Sequence, residues 1–290
     1  PDPASYEYHA DGLLVVADGR VLANGAADTL LPQLPVGTEV EQWPDSLIMP
    51  GMIDTHVHMP QLAVLASYGT QLLEWLETYT FPTEARFADA GWSADQSQLF
   101  LDLLLAHGTT SALVFSTSHK VAAEALFSAA DGYNMAITTG KVMMDCHAPD
   151  GVRDETEASY SESRELIERW HGKGRQRYAV TPRFAATSTV QQLTYAGQLV
   201  AEYPDVLMQT HWAENHAEIA WIKELFPERS SYLDVYDHFG LLGERSVLAH
   251  GIHIDDGDRA RLAETGTRIA FCPTSNTFLG SGLFDLASAR

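Results

Sequence analysis

Two histidines separated by one residue, His56 and His58, close the stretch Pro50-Gly51-Met52-Ile53-Asp54-Thr55-His56-Val57-His58, which follows the apolar run Leu47-Ile48-Met49. Side chains alternate faces along a strand, so residues two apart point the same way. At a strand end the pair aims two imidazoles at one point, which suits a divalent transition metal. Two further histidines end later apolar runs: His211 in Thr210-His211-Trp212-Ala213-Glu214 and His250 in Ala249-His250-Gly251. Three neutral imidazoles on one ion leave an open position for water, which then ionises near neutrality. Glu214, three residues past His211, has the type and place of a general acid/base beside such an ion. A carboxylate at a helix start is also common for dipole reasons alone. Arg183-Phe184 supplies a guanidinium and an aromatic face, which suit a flat heterocycle bearing a carbonyl. Gln61 can both donate and accept, matching a lactam-like ring edge. The other eight of the 12 histidines carry less weight. His9, His107, His119, His171 and His238 read as surface or helix positions, and His147, His216 and His253 lie near strand ends without a second signal.

The elements that must hold these groups follow an alternating rhythm. Short apolar runs are predicted as strands at residues 47–54, 111–116, 136–144, 178–182, 206–210, 247–249 and 268–272. Amphipathic stretches at 95–107, 121–130, 162–171, 190–202 and 256–265 are predicted as helices between them. The candidate groups sit at the ends of the runs, as they do at the mouth of a (β/α)8 barrel. A doubly wound open sheet would carry a Gly-rich phosphate turn after its first strand, and none is present. The expected architecture is therefore α/β, a (β/α)8 TIM-like barrel over residues 47–290 supplying seven of eight units. Residues 1–46 read as part of a small β-domain with Gly12–Val16 and Arg20–Leu22 as strands.

Composition narrows the partners. With 290 residues and 45% apolar content the chain can bury a full core. Its 18 basic and 39 acidic residues give a formal charge of −21, a field that repels nucleic acid and anionic membranes. No uncharged run approaches the roughly 18 residues that span a bilayer, and the start has no signal-peptide pattern. The two cysteines, Cys146 and Cys272, have no paired spacing, which fits a reducing cytoplasm rather than a disulfide scaffold.

The combination Pro50-Gly51-x-x-Asp54-x-His56-x-His58, Thr210-His211-x-x-Glu214 and Ala249-His250-Gly251 resembles the amidohydrolase superfamily. More narrowly, the run from Leu72 through Glu84 (LLEWLETYTFPTE), Thr181-Pro182-Arg183-Phe184 and Cys272-Pro273-Thr274-Ser275-Asn276 resemble segments of guanine deaminases. The resemblance spans nearly the whole chain. It implies one Zn2+ per chain on His56, His58 and His211, with Glu214 as proton shuttle. His250 is expected to face the water or the substrate from beside the metal. The purine substrate would be held by His58, Gln61, Arg183, Phe184, His211 and Glu214. The segment from Leu72 to Phe87 would form a loop over the pocket, with Trp75 or Phe81 excluding water, and a homodimer is what the family suggests. The family also has a metal-binding aspartate after an eighth strand. Asp285, in the seventh connection, is no substitute, so the expectation is that the sequence is a fragment, inactive alone. Two other readings stay open: deamination of another amino-heterocycle of the cytosine or pterin type, and a non-catalytic binding protein on a degenerate barrel.

Overall fold

Pro50 lacks an amide hydrogen and Gly51 leaves no room for a side chain: a Cβ there would lie 2.1 Å from Oγ1 of Thr110. The first barrel strand begins only after them, with the Met52 amide donating to the Gly108 carbonyl at 2.8 Å. The computed structural model describes residues 6–68 and 71–289, and contacts divide the chain into two units, Pro1–Pro50 and Gly51–Arg290. In the first unit, β1 (Gly12–Ala17) and β2 (Arg20–Ala26) pair antiparallel, and α1 (Ala27–Leu30) follows. Asp18 and Gly19 between the strands have φ of 52° and 70°, the conformation that a two-residue hairpin turn demands.

The second unit opens with β3 (Met52–His58), then the short helices α2 (Leu72–Trp75) and α3 (Phe81–Ala85) and the long α4 (Ala90–Ala106). There follow β4 (Thr109–Phe115), α5 (Lys120–Tyr133), β5 (Ala136–Gly140), β6 (Val142–Met143) and α6 (Thr156–Trp170). The chain continues through β7 (Arg177–Pro182), α7 (Val190–Glu202), β8 (Leu207–Trp212), α8 (His216–Leu225) and α9 (Tyr232–His238). It ends with β9 (Ser246–His250), α10 (Asp256–Thr265), β10 (Arg268–Ala270) and α11 (Pro273–Phe278). The sheet order is β10-β9-β8-β7-β5-β4-β3 with β6 also on β7, and every pairing is parallel. This is the α/β barrel read from the strand-and-helix rhythm, with seven positions along the sheet. Among the described residues no strand lies between β3 and β10.

Three of the predicted boundaries move, each for a physical reason. The run at 47–54 is not a strand at its start, so His56 and His58 lie within β3 rather than after it. The run at 136–144 breaks at Lys141, whose fully buried side chain pairs with Asp154. The segment from Leu72 is not a loop. It winds through α2, a π-helical turn at Leu76–Thr80, α3 and a 3-10 turn at Arg86–Ala88.

Apolar side chains of helices and strands pack into separate buried clusters, the largest reaching from α5 to α10. Phe127 of α5 stacks on Trp170 of α6 at 5.4 Å between ring centroids, and both rings are buried. Each such side chain contributes roughly 1.5–3 kcal/mol by leaving water. Polar caps fix where the helices start: Asp89 accepts from the Trp92 amide, and Thr189 from that of Gln192. Asn215 and Glu218 form a full capping box on α8. No helix among the described residues is long and apolar enough to cross a membrane.

Candidate active site

Residues His56 and His58, two apart on β3, project to the same side of the sheet, and β8 brings His211 to meet them. The three offer ring nitrogens that all lie within 4.8 Å of one another. Nε2 of His58 and Nε2 of His211 are 2.9 Å apart. His211 is fixed by its other nitrogen, since Nδ1–H donates to the Arg183 carbonyl at 2.7 Å. That bond selects the tautomer whose Nε2 lone pair faces the cluster. Burial lowers the pKa of all three rings well below the ordinary histidine value, with neighbouring positive charge adding to the effect. Neutral imidazoles with converging lone pairs form the donor set of a borderline-soft divalent ion, so these residues fit a metal. Asp54 accepts the His56 amide at 3.0 Å and so holds the strand that carries two of them.

A second set, His56, His250 and Cys272, is equally close. Burial pushes the Cys272 thiol up to about 12, and its Sγ lies 3.3 Å from the Ala270 carbonyl, to which it donates. The set of three imidazoles is the one that matches the all-nitrogen donor set of an open, catalytic metal site.

Glu214 and His250 stand against each other at the ends of β8 and β9, with Oε2 and Nε2 3.3 Å apart and both side chains 3% exposed. His250 Nδ1–H donates to Oδ1 of Asn276 at 2.7 Å, which turns Nε2 toward the carboxyl. Oε1 of Glu214 accepts from the Ser281 hydroxyl at 3.1 Å. Burial pushes Glu214 up to about 7 and lowers His250, so both shifts favour the proton on the glutamate. The backbone is strained where it presents the pair. Ala213 has φ 50° and His250 φ 75°, a left-handed region that costs a non-glycine residue roughly 1–3 kcal/mol. Two hydrogen bonds enforce it, Gly251 N–H to the Trp212 carbonyl at 2.9 Å and Ile252 N–H to that of Ala213 at 3.0 Å.

The remaining expected residues are placed as follows. Gln61 lies half-buried in the 3-10 turn Met59–Val64 directly after His58. Arg183 directly follows β7, and its side chain is 2% exposed, ion-paired with Glu84 of α3. Its guanidinium also sits 5.1 Å from the centre of the Phe81 ring. Phe184 is buried and meets Trp221 edge-on at 6.1 Å. Trp75 is buried and donates from its indole to the Ser67 carbonyl. Asp285 is exposed and bonds within its own turn to Ser288, apart from the histidine cluster.

Residues 47–289 match the amidohydrolase family. The chain belongs to that family. Within it, this amidohydrolase is 49% identical over 279 residues to guanine deaminase of Escherichia coli K12, covering 96% of this chain and 64% of that protein. The solved structure of the E. coli guanine deaminase superposes with a TM-score of 0.94. The crystal structure of guanine deaminase from C. acetobutylicum with guanine bound in its active site is 30% identical, covers 95% of this chain and 66% of that one, and gives 0.88. The amidohydrolase chain thus spans less than two thirds of these relatives' lengths.

Four residues hold the site without having been given a role from the sequence, although Glu84 and Asn276 lie in segments that carry the resemblance. Asn276 orients His250, Ser281 bonds Glu214, Glu84 holds Arg183, and Glu218 accepts the amides of Glu214 and Asn215 at 3.0 and 3.1 Å. Glu218 carried a local signal of its own, the Asn-x-x-Glu spacing of a capping box. The other three contacts join segments far apart in sequence.

Proposed function

We propose that this amidohydrolase acts in the zinc-dependent hydrolysis of guanine to xanthine and ammonia, with one zinc ion per chain on His56, His58 and His211. The observation that carries this reading is the buried Glu214–His250 pair set against a cluster of three converging imidazoles. A divalent ion in that cluster would supply Lewis-acid chemistry and lower the pKa of a water toward neutrality. The chain's own residues do the rest. Glu214, pushed up to about 7 by burial, is poised to give a proton to a ring nitrogen while water adds at C2. The carboxylate left on Glu214 takes a proton from the adding water and passes it to the amino group, so that the tetrahedral carbon loses ammonia, and the C2 hydroxyl returns a proton to Glu214 as the carbonyl of xanthine forms. His250, held by Asn276, keeps the Glu214 carboxyl in place. Arg183 and Gln61 suit the carbonyl and lactam edge of a purine, and burial of the arginine strengthens a charge-assisted hydrogen bond. The likeness to a guanine deaminase with bound guanine favours that substrate over a smaller ring, which would leave one of the two unsatisfied. A free base in the cytoplasm is also compatible with a formal charge of −21, which disfavours polyanions.

The test is turnover of guanine, cytosine and a pterin side by side, with metal analysis of the protein and of His211→Ala. Guanine should be preferred, about one zinc per chain should be present, and His211→Ala should lose it. Faster deamination of cytosine or the pterin would replace guanine as the substrate, and unchanged metal content in His211→Ala would remove that ligand from the site.

A further inference from the structure

Glu84 is fully buried and closes the run from Leu72 that carries the narrower resemblance, where no chemistry was read for it, yet it is the ion-pair partner of Arg183. The Arg183 Nη1 donates to Oε2 of Glu84 at 2.6 Å, with the two side chains 2% and 1% exposed. The other carboxylate oxygen, Oε1, is buried and has no hydrogen-bond partner among the described residues. Arg183 itself is tied to the metal cluster, because its carbonyl accepts from His211 Nδ1 and its charge helps to lower both His58 and His211. Glu84 and Phe81 come from one helix, α3, so a single element grips the guanidinium by a carboxylate and a ring face. The π-helical turn Leu76–Thr80 runs directly into that helix; such turns are frequent at functional sites.

A buried ion pair is weak support for stability, since well-packed apolar residues of the same volume serve as well or better. An acceptor left unpaired in the interior is a further cost. Both costs are accounted for if the pair fixes the direction of the arginine and the free oxygen meets a ligand donor. We propose that Glu84 is a substrate-positioning residue: it orients the Arg183 guanidinium through Oε2 and accepts an N–H of the bound heterocycle on Oε1. This rests on the reading that Arg183 contacts the substrate, and it adds the residue that aims it. Purines present ring and exocyclic N–H groups beside a carbonyl, so one ligand can satisfy Arg183 and Glu84 together.

The experiment compares the metal-loaded, full-length protein with Glu84→Gln, Arg183→Ala and the double variant. Kinetics with guanine and calorimetric binding of xanthine are measured alongside thermal unfolding. Glu84→Gln should raise KM and the xanthine Kd on the order of 10- to 100-fold, as expected for loss of a charge-assisted hydrogen bond, and KM should rise by a larger factor than kcat falls. The double variant should bind more weakly than Arg183→Ala, but by a smaller factor than Glu84→Gln costs alone, because one of the two jobs of Glu84 is to aim the arginine. If Glu84→Gln does not fold, Glu84→Asp, which keeps the charge but retracts it by one methylene, should show the same rise in KM. A lowered Tm with unchanged KM and Kd, or fully additive losses in the double variant, would overturn the proposal and leave a structural ion pair. Absence of guanine turnover by the wild type would retire the guanine reading while xanthine binding still scores Glu84. Absence of binding by either base would overturn both.

Discussion

At the scale of single residues, burial does most of the chemical tuning. Glu214 and Glu218 are both raised to about 7 by burial, and Glu214 adds to the effect on Glu218. Replacing Glu214 by Gln preserves its shape but removes the transferable proton. We expect kcat with guanine to fall about 10²–10⁴-fold while the metal stays bound; steady-state kinetics with metal analysis on the same sample check both halves. Near wild-type turnover would reduce Glu214 to a helix-start carboxylate. Glu218 makes a prediction about stability. It accepts two amides and the Tyr232 hydroxyl, yet the folded state holds its proton up to about pH 7, whereas an unfolded glutamate releases it near about 4.3. The folded state therefore binds more protons between those values, and stability is lost as pH rises through that window. For this group alone the loss approaches about 3 kcal/mol. Urea unfolding of the metal-free protein at pH 5 and pH 8 should show it, and Glu218→Gln should flatten the difference. An identical slope in the variant would assign the pH dependence elsewhere.

At the scale of elements, the strands converge closely enough that some positions admit no side chain. A Cβ on Gly140, at the end of β5, would lie 1.9 Å from the Ala179 carbonyl oxygen of β7. That oxygen is backbone and cannot turn away, so β5 and β7 would have to separate. Gly140→Ala is expected to destabilise the protein by about 1–3 kcal/mol, measured as a drop in the urea midpoint without a change in m. The contrast is Gly132 in α5, where a Cβ meets nothing within 4 Å; Ala there should leave stability equal or slightly higher. Equal effects at the two sites would mean that the approach of β5 to β7 is not a constraint. The same close pairing sets the register that brings His211 level with Ala249, and Trp212 with His250.

At the scale of the whole molecule, the feature that matters is the seam between β3 and β10. A cavity of about 560 Å³ is not confined to that seam, since Ile53, Leu113, Thr138, Arg177, Leu207, Val247 and Ile269 line it from all seven positions along the sheet. Met52 and Ile53 on β3 and Phe271 just past β10 are exposed, and unpaired apolar edges promote association. The chain is expected to elute from a sizing column as more than a monomer. Elution as a monomer would show that these exposed edges are not an association surface.

The sequence by itself determined the strand-and-helix rhythm, because apolar periodicity is local and a strand or helix must bury a face whatever surrounds it. It also determined the cluster-forming histidines and Glu214, since strand-end positions and His-x-His spacing are carried in a few consecutive residues. The start of β3 was less legible. Leu47-Ile48-Met49 has the composition of a strand, and only the missing Pro50 amide and the tight fit of Gly51 on Thr110 put the ladder's beginning at Met52. The helical winding of the segment from Leu72 was hidden because a π turn and a 3-10 turn interrupt the ordinary period. Tertiary structure alone decided the partners: Asn276 on His250, Ser281 on Glu214, Glu84 on Arg183. Each joins side chains 26 to 99 residues apart. Local pattern carries no record of such pairings, because they exist only once parallel strands have brought their ends to one mouth. The same holds for proton affinities. Glutamate is an ordinary acid in an extended chain, and it is the water-excluding packing around Glu214 and Glu218 that raises both toward neutrality.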